Sequence, residues 1–323
     1  SSPIYLISLA FLPIIYLLQP IYLIRIGSLS SSRLGHFAAN TELYLCEQDT
    51  KINLSKNKFL DIFFLQGASN KQLEKMWRRK IIIMPSFFLK PIFSINKFLS
   101  NFFSISKKHL ILNSMSDRDV NNLLDCSKPH LEFIEKEKTK GEKFLRELGI
   151  PKNSKFVCLI VRDNAFLNDV YPEKNWEYHS YRNYDIEKFI EAAEILTKRG
   201  YYVFRMGAKV EKKFKSSNKK IIDYANLAER SDFLDVYLGA HCNFCVTTSC
   251  GFDAIPFIFR VPIAYITVPI QNFFTFSNKF LIMSKHHFSK KLKRNLKFSE
   301  IILNKIGKCD TKKKFDLCEI SLE

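Results

Sequence analysis

The feature that most narrows the possible folds is a unit repeated through the second half of the chain. A short apolar run rich in β-branched and aromatic residues is followed by a polar or glycine-containing loop, and then by a stretch with helical periodicity. The runs are FVCLIV (156–161), YYVFR (201–205), NFCVT (243–247) and IAYIT (263–267), with KIID (220–223) as a shorter one. Runs this uniformly apolar do not alternate inward and outward, so the sheet they form must be covered on both faces. Between the first two, residues 185–199 place Ile186, Phe189, Ile190, Ala193 and Leu196 on one helical face, and Gly200 closes the helix. Ser231 or Asp232 caps a helix through 238, and residues 251–259 form another. Strands alternating with helices predict a parallel, doubly wound α/β sheet.

The first half carries a looser version of the same pattern. Residues 21–27 read as a strand, 35–46 as a helix, 61–65 (DIFFL) as a strand, 71–79 as a helix, 80–84 (KIIIM) as a strand and 87–103 as a Phe-rich helix. The charged stretch 132–149 ends at Gly149, and a clean strand follows. A composition shift, a helix stop and a fresh strand mark a domain boundary. The expected organisation is an apolar membrane-associating segment over 1–20, an α/β domain over 21–135, a linker helix over 136–152 and a second α/β domain over 153–323. In tandem domains of this kind the facing cleft is the expected site.

Residues 3–24 contain no charge but are interrupted by Pro13 and Pro20. The 16 residues from 4 to 19 are short for a span. A helix dipping into one leaflet fits a basic protein, and a core helix is the alternative. The formal net charge of +18 would attract polyanions, anionic lipid and phosphorylated ligands alike, although 30 Phe beside abundant Lys, Asn and Ile also fits an AT-rich genome. Residues 279–297 hold seven Lys or Arg and no acid, which reads either as a solvated helix face or as contact with an anionic membrane surface. The chain opens Ser1-Ser2-Pro3 without Met, as a fragment or processed product would. Eight cysteines show no regular framework, so no disulfides are expected. Cys242 and Cys245 form a single CxxC with no second pair to complete a zinc site; a buried strand accounts for them, and no metal is expected.

Four polar loops at predicted strand ends are the places for chemistry. RIGSLSSSRLGHFAAN (25–40) brings Arg33, Gly35 and His36 to a helix start, where Arg33 could hold phosphate and His36 could take a proton. Arg162-Asp163 follows the FVCLIV strand, and Arg182-Asn183 precedes the helix capped by Asp185. Guanidinium binds phosphate in a bidentate manner, which suits a diphosphate. Arg205-Met206-Gly207 ends the next strand, and TTSCGFD (247–253) offers hydroxyls and glycine between strand and helix. Neither a P-loop nor a G-x-G-x-x-G is present, nor G-x-S-x-G, HExxH or Asp-x-Asp.

Three blocks then resemble a family of bacterial glycosyltransferases: RIGSLSSSRLGHFAAN followed by Glu42, YHSYRNYDIEKFIEAAEILTKRGYYVFRMG, and DFLDVYLGAHCNFCVTTSCGFDAIPFIFRVPIAY. They cover about a third of the chain in the family's order. The resemblance implies a GT-B-like architecture of two Rossmann-like domains and a role in surface polysaccharide or lipopolysaccharide synthesis. A nucleotide-sugar donor is expected in the second domain and a glycan or lipid-linked acceptor at the first, on the cytoplasmic face of the inner membrane. Loops and resemblance together nominate Arg162, Arg182, Asn183, Arg205, Gly207, Thr248, Ser249, Gly251 and Asp253 as donor-binding. Arg33 and His36 are nominated for catalysis, with His36 the base for the acceptor hydroxyl or a sugar contact. No cofactor is implied. Cys250 departs from the family pattern, where Ser is expected. The rival readings are another cell-envelope sugar enzyme on this scaffold, an epimerase or pyruvyl transferase, and a non-catalytic basic protein binding membrane or nucleic acid. No nucleic-acid recognition motif supports the last, and no nucleic-acid partner is expected.

Overall fold

The computed structural model describes residues 2–52, 55, 58–111, 118–271 and 277–323, with the side chains of 2–9 excepted. The chain divides into two compact units, Ser1–Phe133 and Ile134–Glu323.

Unit 1 holds a four-stranded parallel sheet in the order β3-β2-β1-β4, from β1 (Leu23–Leu29), β2 (Phe59–Leu65), β3 (Ile82–Ile83) and β4 (Leu110–Ile111). Its helices are α1 (Ser2–Leu18), α2 (Leu34–Asp49), α3 (Lys71–Trp77), α4 (Ser86–Leu99), α5 (Ser104–Lys108) and α6 (Leu123–Cys126). The Phe-rich stretch expected as a helix over 87–103 forms α4, which ends at Leu99, and the short α5 begins beyond it at Ser104. Strand β1 runs two residues past the expected end, to Leu29. Arg25 in β1 and Asp61 in β2 are register partners, and Nε and one Nη of Arg25 each donate to Asp61 at 2.6 Å. Arg25 is therefore a sheet residue and stands apart from the loop it introduces.

Helix α1 is part of this unit and not a separate segment. Its Leu12 and Ile15 are buried with Ile26, Phe64, Leu89 and Ile92. Tyr16 donates to Asn96 on α4 at 2.6 Å. Pro13 is accommodated inside the helix. Among the described residues no helix is long and apolar enough to cross a membrane.

Unit 2 contains a six-stranded, all-parallel sheet in the order β10-β9-β8-β5-β6-β7. The strands are β5 (Phe156–Ile160), β6 (Tyr202–Arg205), β7 (Ile221–Ile222), β8 (Phe244–Thr247), β9 (Ile263–Val268) and β10 (Phe280–Ser284). Every residue of β5 is buried, as its unbroken apolar run requires. The helices are α7 (Glu135–Glu147), α8 (Ala165–Val170), α9 (Ile190–Lys198), α10 (Asp232–His241) and α11 (Ala254–Ile258). The expected linker helix is α7. It belongs to unit 2, where Gly141 lets it approach α10: a Cβ there would stand 2.1 Å from the Tyr237 ring. Ser231 caps α10 by accepting from Leu234 N.

The basic stretch 279–297 is not a helix. It supplies β10, β11 (His287–Ser289) and β12 (Arg294–Asn295). With β13 (Ile320–Leu322), β11 and β12 form a small antiparallel sheet, alongside α12 (Phe298–Leu303) and α13 (Lys312–Leu317). Alternating burial in β10 (FLIMS) carries the strand signal. All eight cysteines are free. Cys242 and Cys245 are buried, and the Cys242 thiol is directed to the Gly239 carbonyl.

Candidate functional site

The winding of the second sheet reverses between β5 and β8. From β5 the chain proceeds outward through β6 and β7, then returns to the other side of β5 as β8 and continues to β9 and β10. In open parallel sheets the crevice at the carboxyl ends beside such a reversal is where ligands bind. The loops after β5 and β8 flank it. They are joined by a bond from Arg162 N to Thr248 Oγ1 at 2.8 Å. Thr248 is 1% exposed, and its hydroxyl fastens the two loops together.

The β8 loop is rigidly built. Ser249 adopts φ 66°, a left-handed conformation uncommon for a non-glycine residue. Thr247 Oγ1 accepts from Ser249 N at 2.9 Å, and Asp253 accepts from Cys250 N at 3.0 Å and from the Thr247 hydroxyl at 3.3 Å. Asp253 thus holds the loop's backbone in shape. Burial and the Asp253 carboxylate push the Cys250 thiol up to about 12, so it remains neutral. Gly251 is exposed at the turn into the following short helices.

Two guanidinium groups converge on this crevice. Arg182 donates to Ser249 O at 3.1 Å and to Ser249 Oγ at 3.3 Å, which brings residues from the 177–183 turn onto the β8 loop. Arg162 lies within its field: burial first, then the charge of Arg182, lower the Arg162 pKa to about 10. Arg162 Nε is buried without a hydrogen-bond partner among the described residues, and so are the side-chain oxygens of Asn164 and Asn183. A desolvated cation beside a second cation is unfavourable until an anion joins them. Unsatisfied buried donors and acceptors in one place mark a group the protein itself does not supply.

A third cation was not foreseen. Lys285, between β10 and β11, is 8% exposed and donates to Tyr181 O at 3.0 Å, one residue from Arg182. Burial lowers its pKa, and it has no carboxylate ion pair among the described residues. In the sequence Lys285 is one of seven basic residues in a run, and nothing there distinguishes the buried one. Tyr181 is held by Gln271 Nε2 at 3.0 Å and donates to Asp310 O at 3.0 Å, so the C-terminal segment braces the same turn.

Arg205 and Gly207 stand elsewhere. Arg205 is 1% exposed, pairs with Asp223 at 3.1 Å and donates to Lys212 O at 3.0 Å. That pairing gives it a structural role, and its buried Nε, without a hydrogen-bond partner among the described residues, leaves the nominated diphosphate contact as a proposal. Gly207 has φ 155°, and a Cβ there would meet Val210 at 2.5 Å, so glycine is needed by the turn itself.

In unit 1, Arg33 is the N-cap residue of α2, exposed, in extended backbone and without a side-chain capping bond. His36 is half-buried on the first turn. The loop before them is fixed by Ser31, fully buried, whose Oγ accepts from Gln66 N at 2.9 Å and whose carbonyl accepts from Ser69 N at 2.9 Å. A cavity of about 510 Å³ opens beside the carboxyl ends of β1 and β2, lined by Ser28, Phe64, Leu65, Gln66, Gly67, Ser86, Lys90, Phe93 and Ser94. Its polar groups and single cation suit a hydroxylated or anionic ligand, but neither Arg33 nor His36 lines it.

No family model and no curated protein matches the chain. Among solved structures it is similar to a glycosyl transferase of family 9 from Veillonella parvula, with 11% identity, 82% of this chain and 86% of that one covered and a TM-score of 0.49. It is also similar to the E. coli ADP-heptose lipopolysaccharide heptosyltransferase II, at 13% identity, 83% and 91% coverage and a TM-score of 0.48. A further likeness is to an E. coli heptosyltransferase with ADP-2-deoxy-2-fluoro heptose, at 11% identity, 80% and 93% coverage and a TM-score of 0.33.

Proposed function

We propose that this protein is a glycosyltransferase that moves a sugar from a nucleoside-diphosphate donor to a surface glycan or lipid-linked acceptor. The observation that carries the reading is the Arg162–Arg182 pair at the reversal of the second sheet, with Lys285 bonded to the carbonyl of Tyr181, the residue before Arg182. Departure of a nucleoside diphosphate develops negative charge on its terminal phosphate. Preorganised guanidinium groups in a partly desolvated crevice stabilise that charge more in the transition state than in the ground state. Asn183 Oδ1 and Asn164 Oδ1 would accept from ribose or sugar hydroxyls. His36 is the candidate base toward the acceptor hydroxyl.

A lipid-borne acceptor is supported by the outer surface of unit 1. Leu17 in the last turn of α1 and Ile21 just after it are 78% and 75% exposed, and Phe98 in the last turn of α4 and Phe102 just after it are 64% and 68% exposed. From 81 to 111 the chain carries Lys90, Lys97, Lys107 and Lys108 and no acid. Apolar projections set among lysines are what an anionic membrane surface retains.

The test is ligand-induced thermal shift with ADP, UDP, GDP, CDP and dTDP, followed by transfer or hydrolysis of the matching labelled nucleotide sugar. Stabilisation by one nucleotide, lost in Arg182→Ala, is expected. A folded protein that no nucleotide stabilises and that releases no sugar from any donor would remove this reading. Product analysis separates transfer from epimerisation. Flotation with anionic and neutral vesicles tests the surface: Phe98→Ser/Phe102→Ser should release the protein from anionic vesicles.

A further inference from the structure

Helix α2 carries Glu42, Cys46 and Asp49 at intervals of four and three residues, which places them along one stripe. Both Glu42 and Cys46 are 0% exposed. Across from this stripe lies His130, from the extended segment that follows α6 within the same unit. Glu42 Oε1 is 3.1 Å from His130 Nδ1 and 3.9 Å from Cys46 Sγ, and the three donor atoms lie within 4.8 Å of one another. His130 Nε2 is 3.0 Å from Asp49 Oδ2.

From this geometry we infer that Glu42, Cys46 and His130 form a binding site for a transition-metal dication of the zinc class. The donor set is one carboxylate oxygen, one sulfur and one imidazole nitrogen, the combination that selects borderline cations over calcium or magnesium. Bonds of about 2.0–2.3 Å in tetrahedral arrangement put neighbouring donor atoms about 3.3–3.6 Å apart. The observed separations bracket that range, so small side-chain rotations close the site. Asp49 stands where a ligating histidine's outer partner belongs: by accepting the Nε2 proton it fixes the tautomer that leaves the Nδ1 lone pair for the metal. Water takes the remaining position, since the His130 side chain is 19% exposed and gives an entry path. Binding one Zn²⁺ releases the thiol proton and the proton that His130 Nδ1 shares with Glu42 Oε1, and gives two anionic ligands, one neutral ligand and a site of zero net charge.

The site would tie α2 to the 119–133 segment. That segment is otherwise organised by Asp119, whose carboxylate accepts from Leu123 N at 2.7 Å and Leu124 N at 2.8 Å. Since α2 carries Arg33 and His36 at its opposite end, the metal would be a structural clip on the helix that presents them. This role is independent of the donor reading for unit 2.

Cobalt(II) reports directly on thiolate coordination. Chelator-treated full-length chain should bind one equivalent of Co²⁺ with a sulfur-to-metal charge-transfer band that Zn²⁺ displaces. Cys46→Ser should abolish the band, and His130→Gln should weaken binding at least tenfold. Cys126→Ser, at an exposed cysteine, should leave both unchanged. His130→Gln keeps the test open if Cys46→Ser does not fold, as judged by circular dichroism. Failure of the wild type to bind Co²⁺ saturably would overturn the proposal and leave an imidazole held between two carboxylates. So would a band that survives in folded Cys46→Ser or is lost instead in Cys242→Ser.

Discussion

Replacing Arg162 by Met distinguishes a cation held for a ligand from one held for the fold. The Arg162 guanidinium has its pKa lowered to about 10, first by burial and then by Arg182. A depression of that size corresponds to about 3 kcal/mol against the charged form at any pH below about 10. Water reaching the half-buried side chain reduces this to about 1–2 kcal/mol. Met retains the apolar stem and removes the charge. The two backbone bonds of residue 162, to Thr248 Oγ1 at 2.8 Å and from Tyr184 N at 3.0 Å, remain in place. The ligand-free variant should therefore melt about 2–8 °C above wild type. Its affinity for the cognate nucleotide should fall about 10- to 150-fold, the loss of a charge-assisted hydrogen bond of about 1.5–3 kcal/mol. Differential scanning fluorimetry and titration calorimetry read the two effects on one sample. A lower melting temperature with unchanged nucleotide affinity would refute the reasoning, because it would make Arg162 a structural cation like Arg205.

Three other substitutions probe the scaffold. Asp235 on α10 is pushed up to about 6 by burial, against the pull of Arg230 and Tyr224; the native state then holds its proton longer than the unfolded chain, so stability should fall by up to about 3 kcal/mol as pH rises from about 4 to 6, and Asp235→Asn should flatten that slope in urea titrations. Gly141→Ala places a Cβ 2.1–2.4 Å from the Tyr237 ring, an overpacking that should cost about 1–3 kcal/mol; an unchanged melting temperature would mean α7 and α10 separate freely. Arg25→Met leaves Asp61, 8% exposed, without its counter-ion and should cost about 3–5 kcal/mol by chemical denaturation; an unchanged midpoint would show that the bonds from Tyr44 and Gln48 suffice to hold the carboxylate.

The class of fold and most of the element order are legible in the amino-acid sequence. Strands such as FVCLI are legible because a strand buried on both faces must be apolar at every position, and α9 because its apolar residues recur with helical spacing. It also marked the loops after β5 and β8, since charged and small residues directly behind an apolar strand have few other reasons to be there. Short range was its limit. The two-residue strand β4 carries too little pattern to be separated from a loop, and the basic run 279–297 hides an alternating strand under its lysines. Which cations share an environment follows from the three-dimensional packing instead. Arg162, Arg182 and Arg205 look alike in the chain, yet Arg205 finds Asp223, whereas Arg162 is set beside Arg182. Likewise Lys285 is singled out from its basic neighbours by burial alone, and His130 meets Glu42 across 88 residues of chain. Pairing of charges depends on distance and desolvation in space, and neither is encoded by local spacing.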